Sequence, residues 1–232
     1  MSEEMEDRYR ALDCEMVGVG YDGLFSALAR VTIVDWHGNT VYDTFVQPTD
    51  PVTDYRTHIS GITAASLIDA LDWETCRAQV QQLLHDKILV GHALKNDLHA
   101  LWIYHPWQQT RDTAKYAPFM KTRFDDGILW PRKLRDLVQE KLHRRIQTPD
   151  KAHSPIEDAF AAMQLYKSVR TKWEKVMEYK IQKTAMILEQ QYLEQEMQEQ
   201  GVQDSIHHVR APPKITYLQV ALSFKAVVSA AS

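Results

Sequence analysis

The hydrophobic pattern begins with a run in which two acids are set among apolar residues. Residues 8–17 (RYRALDCEMV) place Asp13 and Glu15 one residue apart between Leu12, Cys14, Met16 and Val17, and this predicts a strand. Side chains alternate faces along a strand, so Asp13 and Glu15 share one face while Leu12, Cys14 and Met16 share the other. Residues 27–36 (ALARVTIVDW) predict a second strand, and His37-Gly38-Asn39 a turn into a third over residues 40–46. Short links make these three an antiparallel meander, which Pro48 and Pro51 end.

The periodicity then changes. Residues 62–71 and 73–85 predict helices, the second with Val80, Leu83 and Leu84 on one face. Residues 87–92 (KILVGH) form a compact apolar run, followed by a helix over 94–104 with Leu94, Leu98 and Leu101 at helical spacing. Strand followed by helix signals a switch to parallel βα organisation. Residues 109–113 predict a short fifth strand, 118–130 read as irregular, and Pro131 opens a basic helix reaching about residue 143. Ser154-Pro155-Ile156-Glu157 is a clear helix start, with Ser as N-cap, Pro in the first turn and Glu three positions after the Ser. No Gly or Pro interrupts this helix before Gly201, so it is expected to reach about residue 199. Its distal stripe of Met177, Ile181, Leu188 and Tyr192 lies in a Gln/Glu-rich background and predicts packing on the parent domain or on a partner helix. A polar tail, Pro212-Pro213 and an alternating stretch (ITYLQVALSFKAVV) follow, with no assigned role. The fold class is therefore α/β: a mixed five-stranded sheet, three strands antiparallel and two parallel, flanked by helices.

Composition adds an asymmetry. The 232 residues suit one sizeable domain plus an appendage. The net charge of −4 hides ten acids against three bases in residues 1–50, and eleven bases against six acids in residues 111–151. A basic flank beside an acidic centre suits a polyanionic substrate. Two cysteines make no disulfide framework, and no secretory or membrane-spanning run is visible, so an intracellular, reducing compartment is expected.

The acids carry the chemistry. Two like charges side by side on a buried strand are costly unless neutralised, and a divalent cation would do so; an exposed edge strand with solvated acids is the plainer alternative. Asp97 follows the fourth strand by a few residues, His153 immediately precedes the capped helix, and Asp158 lies in its first turns. Four carboxylates and a histidine from three elements, converging at one sheet edge, would require cations with oxygen ligands. Two such ions roughly 3.5–4 Å apart are a recurring device for phosphodiester cleavage. A histidine five positions before a metal-binding acid suits a general base. Taken singly, Asp97 reads more often as a solvated helical acid than as a ligand, and His153 as a cap; the ordered set reverses both. His92 and His99 read as packing or surface groups, Cys14 as core packing, Asp112 as a partner to a ligand, and Trp102 and Trp107 as core or base-stacking residues.

The ordered set ALDCEMVGVG (11–20), PVTDYRTHISGIT (51–63), ILVGHALKNDLHAL (88–101), RDTAKY (111–116) and HSPIEDAFAAMQLY (153–166) resembles the DEDDh family of 3′→5′ exonucleases, in its eukaryotic RNA exonuclease branch. That resemblance implies a ribonuclease H-like domain over residues 8–171 and an extension over 172–232. It further implies that Asp13, Glu15, Asp97 and Asp158 hold two divalent ions, Mg²⁺ or Mn²⁺, with His153 as general base. Met16 and Arg56 would line the terminal nucleotide. The implied activity is hydrolysis of single-stranded RNA, favoured over DNA, from the 3′ end to nucleoside 5′-monophosphates, in rRNA processing or RNA turnover. A DNA exonuclease and a non-catalytic RNA-binding assembly factor are the competing functions. No membrane partner is expected; a protein partner or self-association through the C-terminal helix is open, and a nuclear or nucleolar address follows from the resemblance alone.

Overall fold

The computed structural model describes residues 2–122, 127–149 and 151–203, apart from the side chains of 199–203. It divides into two compact units, the first ending at Val169 and the second beginning at Arg170. The alternating tail over 215–228 lies outside the described residues.

The first residues, where no element was expected, form a turn of helix α1 (Glu3–Glu6) capped by Ser2. The strands β1 (Tyr9–Val19), β2 (Phe25–Val34) and β3 (Thr40–Gln47) form the expected antiparallel meander. Next come β4 (Val52–Asp54), α2 (Thr57–Ser60), β5 (Leu71–Asp72) and α3 (Trp73–Leu83). Strand β6 (Ile88–Gly91), helix α4 (Lys95–Ala100) and strand β7 (Thr110–Asp112) complete the parallel side, with β6 beside β1 and β7 beside β6. A two-residue ladder of β8 (Lys121–Thr122) and β9 (Leu129–Trp130), helix α5 (Leu134–Leu142) and the long α6 (Pro155–Gln203) follow.

The sheet therefore has seven strands rather than five. The additions are β4, which pairs with the far end of β1 at Gly18 and Val19, and β5, which pairs with β3. Segments of two or three residues are too short to show a period, so the sequence pattern misses them. The helix expected over 62–71 is also corrected. Gly61 ends α2 in the left-handed region at φ 70°, Thr63 and Ser66 cap one another around a short 3-10 turn (Ala64–Leu67), and Asp69 at φ 61° stops it. Ile62 and Leu67 of this stretch still reach a small apolar cluster with Val17 and Ala29. The segment expected to be irregular carries the β8–β9 ladder.

The main core lies between the sheet and helices α3 and α4, where Leu12, Val31, Ile33 and Leu89 meet Val80, Leu84, Leu94 and Leu101. Each such fully buried side chain contributes roughly 1.5–3 kcal/mol. Tyr166 of α6 is fully buried and stacks near Tyr9 and Trp36, with ring centres 5.5 Å and 6.4 Å away. Core packing thus fixes both β1 and the start of α6, which carry Asp13, Glu15 and Asp158.

Candidate active site

Strand β6 ends at Gly91, whose last pairings with β1 stop at Ala11↔Val90, so β1 runs on past it and presents residues 13–16 beside the end of β6. The turn that leaves β6 needs a glycine: a Cβ at Gly91 would sit 2.4 Å from the Leu94 side chain and 3.0 Å from the Leu12 carbonyl. Ala93 then takes φ 61° and donates its N–H to Asp112 Oδ1 at 2.8 Å. The same oxygen accepts the Ala114 N–H at 3.0 Å. The Thr113 hydroxyl lies 2.9 Å from both the Gly91 carbonyl, to which it donates, and His92 Nδ1, and so joins the His92 ring to the end of β6. Burial holds the His92 pKa below its usual value. His92 is thus a loop tie, and Asp112 a brace for the turn into α4. Asp112→Ala would leave two backbone donors unpaired, and a loss of about 1–3 kcal/mol is expected in urea unfolding.

The braced turn delivers Asp97 into the first turn of α4, where it is buried. Its carboxylate takes hydrogen bonds from the Cys14 thiol and backbone N–H. Cys14 also touches the core, so the expectation of simple packing is incomplete: its sulfur links the core to an acid. Glu15 is buried and lies opposite Arg30 on β2, but Arg30 forks onto Asp43 at 2.9 Å and 2.7 Å and only partly offsets the Glu15 charge. A bulge between Glu15 and Met16 breaks the β1–β2 register there, a device that re-aims side chains at functional sites.

Helix α6 supplies the fourth acid. Ser154 Oγ accepts the Glu157 N–H at 3.4 Å, and Asp158 is buried in the first turns. Asp158 Oδ2 accepts from Gln147 Nε2 at 2.7 Å and faces His153 Nδ1 at 3.8 Å, while Oδ1 is buried without a hydrogen-bond partner. The His153 N–H donates to the Ile59 carbonyl at 2.8 Å. Burial, helped by Arg135, holds the His153 pKa below its usual value.

The electrostatics place the four carboxylates within range of one another. Burial first, then Asp97, Asp158 and Glu15, push the Asp13 pKa well up. Burial and Asp158 push Glu15 to about 8, and burial pushes Asp158 to about 6 against the Gln147 hydrogen bond. Asp97 is raised chiefly by burial. Among the described residues, no three His, Cys, Asp or Glu side chains form a preassembled ion cage. The set fits divalent cations even so, because it combines the mutually repelling carboxylates of buried Glu15, Asp97 and Asp158 and half-buried Asp13 with an orphaned Asp158 oxygen, a cost that a cation removes.

Met16 is half-buried just past the bulge. Arg56 sits at φ 48° and donates to Ser26 Oγ and the Gly23 carbonyl, each at 2.8 Å, which fastens it to the far end of the β1–β2 hairpin. His99 is exposed. Trp102 is corrected: it is 73% exposed, edge-on to Trp73, and not core. Sequence reasoning missed Gln147, which no motif spacing marks, and the thiol link of Cys14.

A sheet of this order, with acids gathered where β6 stops beside β1, defines a ribonuclease H-like α/β domain. The same fold occurs in the Saccharomyces cerevisiae Pan2 pseudoubiquitin hydrolase–RNA exonuclease module in complex with A7 RNA, at TM-score 0.61 and 26% identity, covering 79% of this chain and 32% of that one. The chain belongs to the Exonuclease (RNase_T) family, with the match running over residues 11–166. It is 47% identical over 176 residues to RNA exonuclease 4 of Cryptococcus neoformans var. neoformans serotype D, covering 75% of this chain and 41% of that protein. It is 47% identical to human RNA exonuclease 4 over 72% of this chain and 38% of that protein. With human apoptosis-enhancing nuclease the identity is 43%, over 71% of this chain and 50% of that protein. The chain thus spans half or less of the length of these relatives.

Proposed function

We propose that this chain hydrolyses single-stranded RNA from its 3′ end, releasing nucleoside 5′-monophosphates, as a step in RNA processing or turnover. The observation that carries this reading is the meeting of Asp13, Glu15, Asp97 and Asp158 from three elements, with His153 Nδ1 3.8 Å from Asp158. The printed names of the RNA exonuclease 4 relatives and of the RNA-bound Pan2 module support RNA as the substrate class.

In this reading the four acids hold two Mg²⁺ or Mn²⁺ ions. When bound, such ions acidify water and stabilise charge on the transferring phosphate. The other roles fall to the chain. A water attacks the terminal phosphorus in line, the P–O3′ bond of the preceding nucleotide breaks, and the phosphate leaves on the released nucleotide. His153 takes the water's proton at Nε2, since Nδ1 faces Asp158. The Asp158 carboxylate then steadies the imidazolium, and Gln147 holds that carboxylate in place. Met16 lines the terminal nucleotide, and Arg56 orders the hairpin beside it.

The test uses 5′-labelled single-stranded RNA and matching DNA with Mg²⁺ or Mn²⁺. A ladder that shortens stepwise from the 3′ end of RNA, and disappears with chelator, is the expected result. Shortening of DNA alone would move the assignment to a DNA exonuclease. Tight RNA binding without cleavage by folded, metal-supplied protein would move it to an assembly factor. No described helix is long and apolar enough to cross a membrane.

A further inference from the structure

The nuclease reading leaves the helix beyond Val169 without a role. In the second unit, taken by itself, Val176, Tyr179, Met186, Leu193 and Met197 are 45–72% exposed. They recur at intervals of three, seven, seven and four residues, which sets them in one stripe of a helix. An isolated helix is marginal in water, and a long exposed apolar stripe calls for a cover.

The charges indicate which cover fits. Residues 170–183 hold five bases against two acids, whereas residues 184–203 hold four acids and no base. Lys180, Lys183, Glu189 and Glu194 each lack an opposite charge three or four positions away. They therefore make no ion pair along their own helix, and Glu194 is held there only by a neutral partner, the Gln190 amide at 2.9 Å. The pattern is also nearly symmetric about Met186-Ile187. Val176 lies as far before that step as Met197 lies after it, and Tyr179-Lys180 as far before as Leu193-Glu194 after.

We infer that this helix docks antiparallel on the same helix of a second copy, with the two-fold axis at Met186-Ile187. In that arrangement the apolar stripe covers itself over about 33 Å at 1.5 Å per residue, Val176 lies level with Met197 of the second copy, and the Tyr179-Lys180 step lies level with its Leu193-Glu194 step. Each basic half lies on an acidic half. A parallel pair would set like charges against each other along the whole length, and a partner of one sign would suit only half the helix. The interface is isologous, as a two-fold dimer requires. This inference does not depend on the nuclease reading.

Sedimentation velocity on the full chain, from about 1 to 100 µM, tests it; this range brackets micromolar affinity. The expected result is a monomer–dimer equilibrium that weakens as NaCl rises, because opposite charges are screened. Lys180→Glu/Lys183→Glu and Glu189→Lys/Glu194→Lys are each expected to sediment as monomers, and an equimolar mixture of the two to recover the dimer. Met186→Glu/Leu193→Glu is expected to remain monomeric in every mixture. Helix content by circular dichroism verifies that each variant is folded. A wild-type monomer across the whole range, a dimer that tightens with salt, or a dimer indifferent to Met186→Glu/Leu193→Glu would each overturn the inference.

Discussion

Asp13→Asn is expected to lower RNA cleavage by about a thousandfold or more and, at the same time, to raise the thermal stability of the metal-free protein. The first effect follows from the proposed role of Asp13 as an oxygen ligand: loss of a single stabilising group costs about 10²–10³ in rate, and loss of an ion would cost more. The second follows from the repulsion at the site. The Asp13 carboxyl is disfavoured in its charged form by burial and by Asp97, Asp158 and Glu15, so an amide of the same shape relieves strain that the metal-free protein carries. In a domain of this size each kcal/mol of relief raises Tm by about 2–4 °C. Single-turnover cleavage and thermal melts in chelator at pH 8 check both halves. A variant that cleaves within tenfold of wild type, or that melts below it, would remove Asp13 from the proposed ligand set.

The second large effect is a pH dependence that metal reverses. The Glu15 carboxyl is pushed up to about 8 and that of Asp158 to about 6, each above its unfolded value. A carboxyl raised by folding binds its proton more tightly in the folded state. Its favourable contribution is full below the unfolded pKa, near 4, and is lost as pH rises through the folded pKa. Metal-free protein is therefore expected to lose stability steadily from about pH 4.5 to pH 8, by on the order of a few kcal/mol at most. Mn²⁺ binds the ionised form of the folded state and offsets the loss, so the rise in Tm on adding it should be greater at pH 8 than at pH 5. Melts in chelator and in Mn²⁺ across that range decide the matter. A flat metal-free profile, or a metal shift independent of pH, would speak against the four acids as a shared ion site.

Much of this site was legible because its residues mark element ends that the chain announces on its own. Asp13 and Glu15 interrupt an apolar strand, Asp97 follows a short buried strand closed by Gly91, and Asp158 follows a Ser-Pro helix start. Each is a local signal, and their order along the chain joins them. The misses share a different physical origin. The β4 and β5 strands exist because β1 and β3 offer free edges, a condition visible only once the sheet is formed. The stretch over 62–71 has helical spacing, but Gly61 and Asp69 hold left-handed conformations that divide it. Gln147 reaches Asp158 from a loop at φ 50°, with no periodicity to declare it. Cys14 looked like a core residue because strand alternation says nothing of a helix that approaches from beyond the end of β6.

The hydrogen bond from the His153 amide to the Ile59 carbonyl makes that amide a gauge. Its proton can exchange with solvent only when the chain just before α6 parts from the turn that follows Arg56. The protection factor at His153 therefore measures how often the turn carrying Arg56 lifts away from the segment carrying His153, in the free protein and without any substrate. If an RNA end seats that turn, the slowing of exchange at this one position reports the closure directly, on a timescale separate from turnover.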